Sequence, residues 1–227
     1  MHGIQQAVRG STLEAIGGTP VVRLGKVVPP GSAEVLVKLE YFSLTGSYKD
    51  RMALAMIEAA EARGHLRPGM TVVEYTGGST GSSLAFVCAV KGYRFKAVSS
   101  DAFATEKLQT MRAFGADVII VPSEGGRITP DLIPRMIEMV RDLARSPEVY
   151  WADQFNSTDS LAGYEGIGRE LLSQVDGPLH AFCGGVSTGL NVVGALALAR
   201  ELGAGKTVAT VAVDTGLKYL AGDLYPP

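Results

Sequence analysis

Thr71-Val72-Val73-Glu74-Tyr75-Thr76-Gly77-Gly78-Ser79-Thr80-Gly81-Ser82 passes from β-branched residues into a turn of glycines and hydroxyls, then into an apolar helical run. The run from Ser82 to Lys91 ends at Gly92, a residue suited to a helix C-cap. A strand, a glycine-rich turn and a helix in that order predict one step of a parallel α/β sheet.

Working outward, the same alternation continues. Strands are predicted at Val35–Leu39, Thr71–Tyr75, Phe95–Ser99, Val118–Pro122, His180–Cys183 and Thr207–Val213. Several are nearly continuous apolar runs, as strands covered on both faces are. Met52, Ala55/Met56 and Ala59/Ala60 form a helical stripe that stops at Arg63-Gly64. Further helices are predicted at Thr105–Phe114, Pro130–Ala144, Ser160–Gln174 and Leu190–Leu202, with Gly115 and Gly203 following two of them. Ser123–Thr129 reads as a flexible loop, and there is no repeat of fixed period. The fold class is open α/β, in which ligands sit beyond the carboxyl ends of the strands.

The chain has 227 residues, with 21 basic against 23 acidic ones and 46% hydrophobic residues. That length accommodates one large or two small domains, and the hydrophobic content excludes a disordered chain. Near-balanced charge without runs argues against a nucleic-acid footprint or an anionic-membrane patch. The longest apolar runs, Leu84–Val90 and Gly194–Ala199 with its neighbours, fall short of the roughly 18 residues that span a bilayer. No secretory-signal layout opens the sequence, so a soluble cytoplasmic protein is expected. Cys88 and Cys183 both lie in apolar stretches without metal-ligand spacing, which predicts buried free thiols rather than a disulfide.

Two segments carry chemistry. In Ser43-Leu44-Thr45-Gly46-Ser47-Tyr48-Lys49-Asp50-Arg51 a lysine falls in the first turn of a helix, with Ser47 and Asp50 spaced as a capping box. The positive end of a helix and partial desolvation both disfavour an ammonium ion, which suits an amine that must attack an aldehyde. By itself the segment better fits a solvated lysine at a helix start. In Glu74–Gly81, glycines permit close backbone approach, while hydroxyls and helix-end N–H groups bind an anion, either phosphate or carboxylate. This segment lacks both the phosphate-loop and the dinucleotide glycine spacings, and alone it also fits a plain tight turn.

In order, these segments resemble the cysteine synthase family, the pyridoxal-phosphate β-replacement enzymes that include cystathionine β-synthase. Ile16-Gly17-Gly18-Thr19-Pro20-Val21-Val22-Arg23-Leu24 resembles the family's I-G-x-T-P-L-V-x-L opening. Ser47-Tyr48-Lys49-Asp50-Arg51 resembles its S-x-K-D-R, and Thr76–Gly81 its T-S-G-N-T-G loop. A helix from Glu106 leads into Gly115-Ala116-Asp117-Val118, like the family's G-A-x-V. Gln154-Phe155-Asn156 resembles its Q-F-x-N, and Asp214-Thr215-Gly216-Leu217-Lys218-Tyr219-Leu220 its D-S-G-x-x-Y-L terminus.

The resemblance implies a tryptophan synthase β-like fold (fold type II) with mostly parallel sheets flanked by helices, in shortened form. It implies a smaller domain over 40–150 and a larger cofactor domain over 1–39 plus 151–227. Lys49 would be the catalytic lysine, joined to pyridoxal 5'-phosphate as an imine and then acting as base on the substrate. Ser79, Gly185, Ser187, Thr188 and Gly189 would contact the cofactor, with Ser187 at the pyridine nitrogen. Thr76, Gly77, Gly78, Thr80 and Gln154 would hold the substrate carboxylate. The implied reaction converts an O-acetylserine-like substrate, through an aminoacrylate, to cysteine with a sulfide-like nucleophile, in a homodimer. Serine or threonine deamination on the same scaffold is the alternative. A shortened, non-catalytic remnant that associates with a partner is another.

The chain departs from the family pattern at four places. Ser79 replaces the loop asparagine, Ser43-Leu44 the N-P before the lysine segment, and Gly163-Tyr164 a His-Tyr pair. Gly184-Gly185-Val186-Ser187-Thr188-Gly189 stands where the family has two separate glycine-rich elements, a phosphate loop and a pyridine-nitrogen turn. The resemblance therefore implies loss of an internal block of about a quarter of a usual chain, near Val186-Ser187.

The remaining singletons read as structural. His65 is a loop residue, and His180 opens a strand. Trp151 fills core near Gln154, Met136 and Met139 pack a helix, and Asp101 and Glu106 are loop and helix-start acids.

Overall fold

The structure is a computed structural model and describes residues 8–185 and 188–219. In chain order the elements are β1 (Val21–Arg23), β2 (Glu34–Leu39), α1 (Lys49–Ala62), β3 (Thr71–Tyr75), α2 (Ser79–Lys91), β4 (Arg94–Ser100), α3 (Thr105–Ala113) and β5 (Asp117–Val121). There follow α4 (Leu132–Leu143), β6 (Val149–Trp151), α5 (Thr158–Gln174), β7 (Ala181–Cys183), α6 (Thr188–Leu202) and β8 (Thr207–Ala212).

The strands form two four-stranded sheets, ordered β1-β2-β8-β7 and β5-β4-β3-β6. Among the described strands every pairing is parallel except β1 with β2. Alternating side chains give each sheet two buried faces. In the second sheet, Val72 packs with α1 and α2 residues such as Met52 and Leu84, while Val73, Val98 and Val121 pack on Leu132, Met136 and Val140 of α4. In the first sheet, Val35, Val37 and Val208 meet Ala195 and Ala199 of α6. Ala209, Val211 and Val213 meet Ile167 and Leu171 of α5 on the other side. No described helix is long and apolar enough to cross a membrane.

All six predicted strands form. Two further strands, β1 and β6, are three residues each and too short to register as a periodicity. Helix α2 begins at Ser79, not Ser82, so the second half of the glycine turn is already helical. Helices α5 and α6 likewise start two residues earlier than predicted, and α4 covers a shorter span. Gly92 and Gly203 end α2 and α6 in the left-handed conformation expected of C-caps.

The capping box does not form. Ser47 Oγ accepts the N–H of Lys49 at 3.3 Å, and Asp50 turns away to Thr45 and Ser83. A stronger demand wins: Asp50 is fully buried, and its carboxylate needs the Thr45 N–H and the two hydroxyls. Cys88 is buried, and burial pushes its thiol up to about 12; Cys183 is only half-buried, contrary to expectation. Its strand β7 is an edge strand whose face is incompletely covered. His180 is structural as read, its Nδ1 accepting the Thr207 N–H at 3.0 Å.

Candidate active site

Strand order dictates where the site forms. From β3 the chain winds through β4 to β5, then returns to place β6 on the other side of β3. The direction of winding changes between β3 and β6, and the crevice beyond their carboxyl ends is the expected ligand position. The glycine turn follows β3, and Gln154 lies three residues beyond β6. The two meet: Thr80 Oγ1 donates to Gln154 Oε1 at 2.6 Å, and Gln154 Nε2 lies 3.4 Å from the Tyr75 carbonyl.

Close packing explains the loop glycines. Thr76 Oγ1 accepts the N–H groups of Gly78 and Gly81, each at 3.2 Å, folding the turn onto its own first residue. A Cβ at Gly77 would lie 2.4 Å from the Phe103 ring, and one at Gly81 would lie 2.6 Å from Met111 Sδ and from Thr76 Cγ2. Ser79 is the first residue of α2 and is half-buried. Lys107 of α3 lies along Gly78, where burial lowers its pKa while Asp214 and Glu106 oppose that shift.

Lys49 opens α1, and its place is fixed from both ends of the chain. The Tyr48 N–H donates to the Val213 carbonyl at 2.8 Å, and the Thr215 N–H donates to the Gly46 carbonyl at 3.0 Å. The lysine segment and the Asp214-Thr215-Gly216 segment are thereby held side by side. Lys49 Nζ donates to the Tyr164 hydroxyl at 2.8 Å and stands 4.6 Å from the Tyr48 ring centroid. Tyr48 and Tyr164 stack with centroids 4.9 Å apart. Burial, with Tyr48 beside it, raises the Tyr164 phenol above its ordinary range, so it stays protonated.

Tyr164 reaches Lys49 because its neighbour is glycine: a Cβ at Gly163 would lie 2.8 Å from the Arg51 carbonyl oxygen and from Met52 Cα. Below this contact runs a charged network. Arg51 donates to Glu40 at 2.7 and 2.9 Å and to Glu170 at 2.7 and 2.8 Å. Lys38 Nζ reaches Glu170 at 2.7 Å, the Gln174 side chain at 2.8 Å and the Thr19 carbonyl at 2.9 Å. Thr19 Oγ1 donates to Glu40 at 2.6 Å. Burial works to raise the Glu170 carboxyl, but Arg51 and Lys38 overcome it and hold the carboxyl down at about 2.

Lys49 and Gln154 line one cavity of about 290 Å³, with Asn156, Ser157 and Tyr164. A larger cavity of about 600 Å³ shares Tyr164 with it and is walled by Tyr48, Ile167, Leu171, Phe182 and Val213. Gly184, Gly185 and Asn191 also line it, at the junction of β7 and α6. A Cβ at Gly185 would lie 3.0 Å from Asn191 Oδ1, a buried acceptor that receives no hydrogen bond among the described residues.

Thr76, Gly77, Gly78, Ser79, Thr80 and Gln154 are therefore gathered at one crevice, with Lys49 facing the cavity that Gln154 shares. Gly185 lines the larger cavity, which shares Tyr164 with that one. Thr188 and Gly189 form the first turn of α6, and Ser187 lies outside the described residues. Sequence reasoning missed the Lys38–Glu40–Arg51–Glu170 network, the hydroxyl of Tyr164 and the buried Glu74. An acid inside the apolar run of β3 was the available signal for the last of these.

Comparisons with known proteins give the family and the fold. The family profile described as pyridoxal-phosphate dependent enzyme matches residues 12–224. Cysteine synthase of Staphylococcus aureus (strain Mu50 / ATCC 700699) is 40% identical over 178 residues, which cover 78% of this chain and 56% of that protein. Cysteine synthase B of Escherichia coli (strain K12) is 38% identical over 193 residues, covering 84% and 62%. The chain thus spans less than two thirds of the length of these relatives. The crystal structure of an O-ureido-L-serine synthase superposes with a TM-score of 0.85 at 25% identity, covering 96% of this chain and 95% of that one. A cysteine synthase from Entamoeba histolytica superposes with a TM-score of 0.87 at 22% identity, covering 99% and 93%, and so shares the fold.

Proposed function

The chain belongs to the pyridoxal-phosphate dependent enzyme family, and from that premise we propose that it replaces the β-substituent of an O-activated serine by a sulfide-like nucleophile, giving cysteine or a related amino acid. One observation carries the proposal. Lys49 faces a cavity shared with Gln154, and Gln154 is bonded to the hydroxyl-rich glycine turn.

The groups such a cofactor needs are present, divided between two cavities that share Tyr164. Lys49 offers a half-buried amine, the apolar cavity lined by Tyr48 and Tyr164 has the size of a small-molecule site, and α6 offers a helix N-terminus after Gly184-Gly185. Lys49 would hold pyridoxal phosphate covalently. Gly185, Thr188 and Gly189 would bind its phosphate end, and Ser79 and Ser187 would bind its ring. When bound, it supplies the electron sink for a carbanion at the substrate α-carbon.

The chain's own groups do the rest. Lys49 Nζ takes the α-proton, and the Tyr164 hydroxyl holds that nitrogen in place. Thr76, Gly77, Gly78, Thr80 and Gln154 bind the carboxylate, with the positive end of α2 behind them. The Tyr48–Tyr164 stack keeps water from the reacting face.

The same reading divides the chain into two domains, 40–150, which holds the second sheet up to Tyr150 of β6, and 1–39 plus 151–227, which holds the first. It also carries a homodimer in the cytoplasm, with O-acetylserine and sulfide as the substrates. The test is product analysis. Cysteine formed from O-acetylserine plus sulfide supports the reading, and pyruvate formed from serine alone assigns the chain to deamination instead.

A further inference from the structure

Glu74 lies inside β3 with its side chain fully buried. Its two oxygens collect backbone donors from two places: Oε1 accepts the Tyr75 N–H at 3.0 Å, and Oε2 accepts the Gln154 N–H at 3.0 Å. The second bond joins β3 to the turn beyond β6. That turn is specially shaped. Asp153 has φ 51°, in the left-handed region, which aspartate tolerates better than most residues. The Asp153 carbonyl accepts the N–H groups of Asn156 and Ser157, and its carboxylate accepts both contacts from Asn156 Nδ2. The backbone of Gln154 is therefore held by Glu74 while its side chain holds Thr80.

We propose that Glu74 is a positioning residue for the carboxylate subsite, fixing Gln154 and coupling the subsite's hold on an anion to its own protonation. The inference rests on reading Thr76–Gly81 and Gln154 as that subsite. The surroundings of Glu74 support the coupling. Strand β4 places Ala97 beside it, and the first turns of α2 carry only hydroxyl and apolar residues. The titratable groups that face it are Asp153 and Tyr150, from β6 and its turn, and Tyr75 on its own strand. Lys49 stands on the cavity that Gln154 lines. Burial raises the Glu74 carboxyl to about 8, with the Gln154 N–H opposing and Asp153 adding to the rise.

Below that value Glu74 is neutral, and an anion on Gln154 meets no like charge behind it. Above that value a buried negative charge faces the anion, and binding must draw a proton back onto Glu74.

The probe is propionate, which has a carboxylate and no amine, titrated into the chain with pyridoxal phosphate present. Trp151, the single tryptophan, reports binding from its place against Tyr75. Affinity is expected to fall about fivefold between about pH 7 and about pH 9.5 in the native chain, and to stay flat in Glu74→Gln, whose side chain still accepts a hydrogen bond. The native chain also gives a variant-free readout. Calorimetric heats measured above about pH 8 must vary with the buffer's ionisation enthalpy, as proton uptake requires.

A merely structural Glu74 would lower affinity in the variant while leaving the pH profile as in the native chain. That profile, or pH-independent binding with no proton uptake in the native chain, overturns the inference and leaves the subsite reading standing. Absence of propionate binding at every pH overturns the subsite reading, and the inference with it.

Discussion

Thr80 donates its hydroxyl hydrogen to the side-chain oxygen of Gln154 at 2.6 Å across 74 residues of sequence. The contact exists because β3 and β6 are neighbours in the sheet, so the glycine turn after one strand and the turn after the other share a crevice. A carboxylate held there would be bound by both turns at once. Thr80→Val and Gln154→Ala are each expected to raise the KM for the amino-acid substrate about tenfold, the loss of about 1.4 kcal/mol of binding. Cofactor uptake should be unchanged in both. Steady-state kinetics beside cofactor absorbance checks this, and a variant that loses cofactor while keeping its KM would place these residues elsewhere.

Gly163 tests the join between α1 and α5. The methyl of Gly163→Ala would lie 2.8 Å from the Arg51 carbonyl oxygen and Met52 Cα, atoms of a helix backbone that cannot rotate aside. The helices must separate, at a cost of about 1–3 kcal/mol. Thermal unfolding should show a fall of about 2–4 °C per kcal/mol lost. Lys49 should also lose its hold on Tyr164. A variant as stable as the native chain would mean that the contact is loose.

Acid should undo the charged network in a defined window. The Glu170 carboxyl is held at about 2, against an ordinary value of 4.5, by Arg51 and Lys38 acting against burial. A depressed carboxyl contributes stability that is present above the ordinary value and lost as pH falls toward the folded one. Denaturant midpoints are therefore expected to decline between about pH 4.5 and pH 2. Glu170→Gln should be less stable at neutral pH and should decline less steeply through that window. Equal slopes for the two proteins would remove Glu170 from the account.

The sheets were legible because β2, β3, β4, β5 and β8 are runs of five to seven residues, most of them with both faces covered. Strands β1 and β6 were not; three residues carry no period, and β7, equally short, was picked out only as an apolar run that ends at Gly184-Gly185. The positions of Lys49 and of the glycine turn could be read locally, from a helix start and a strand-to-helix turn. Their partners could not. Asp50 looked like a capping residue and instead serves Thr45 and Ser83, because burial of its carboxylate outweighs a cap. Tyr164, Glu170 and Glu74 act through contacts more than 70 residues long, which only the completed sheets create.

Lys49 is the residue on which the proposed chemistry depends. Purified chain mixed with pyridoxal phosphate should develop the visible absorbance of a lysine-bound cofactor. Borohydride reduction should then fix the added mass on the peptide that contains Lys49, and Lys49→Ala should show neither signal. A native chain that stays colourless and unlabelled, or a Lys49→Ala chain that colours and labels like the native one, would contradict it.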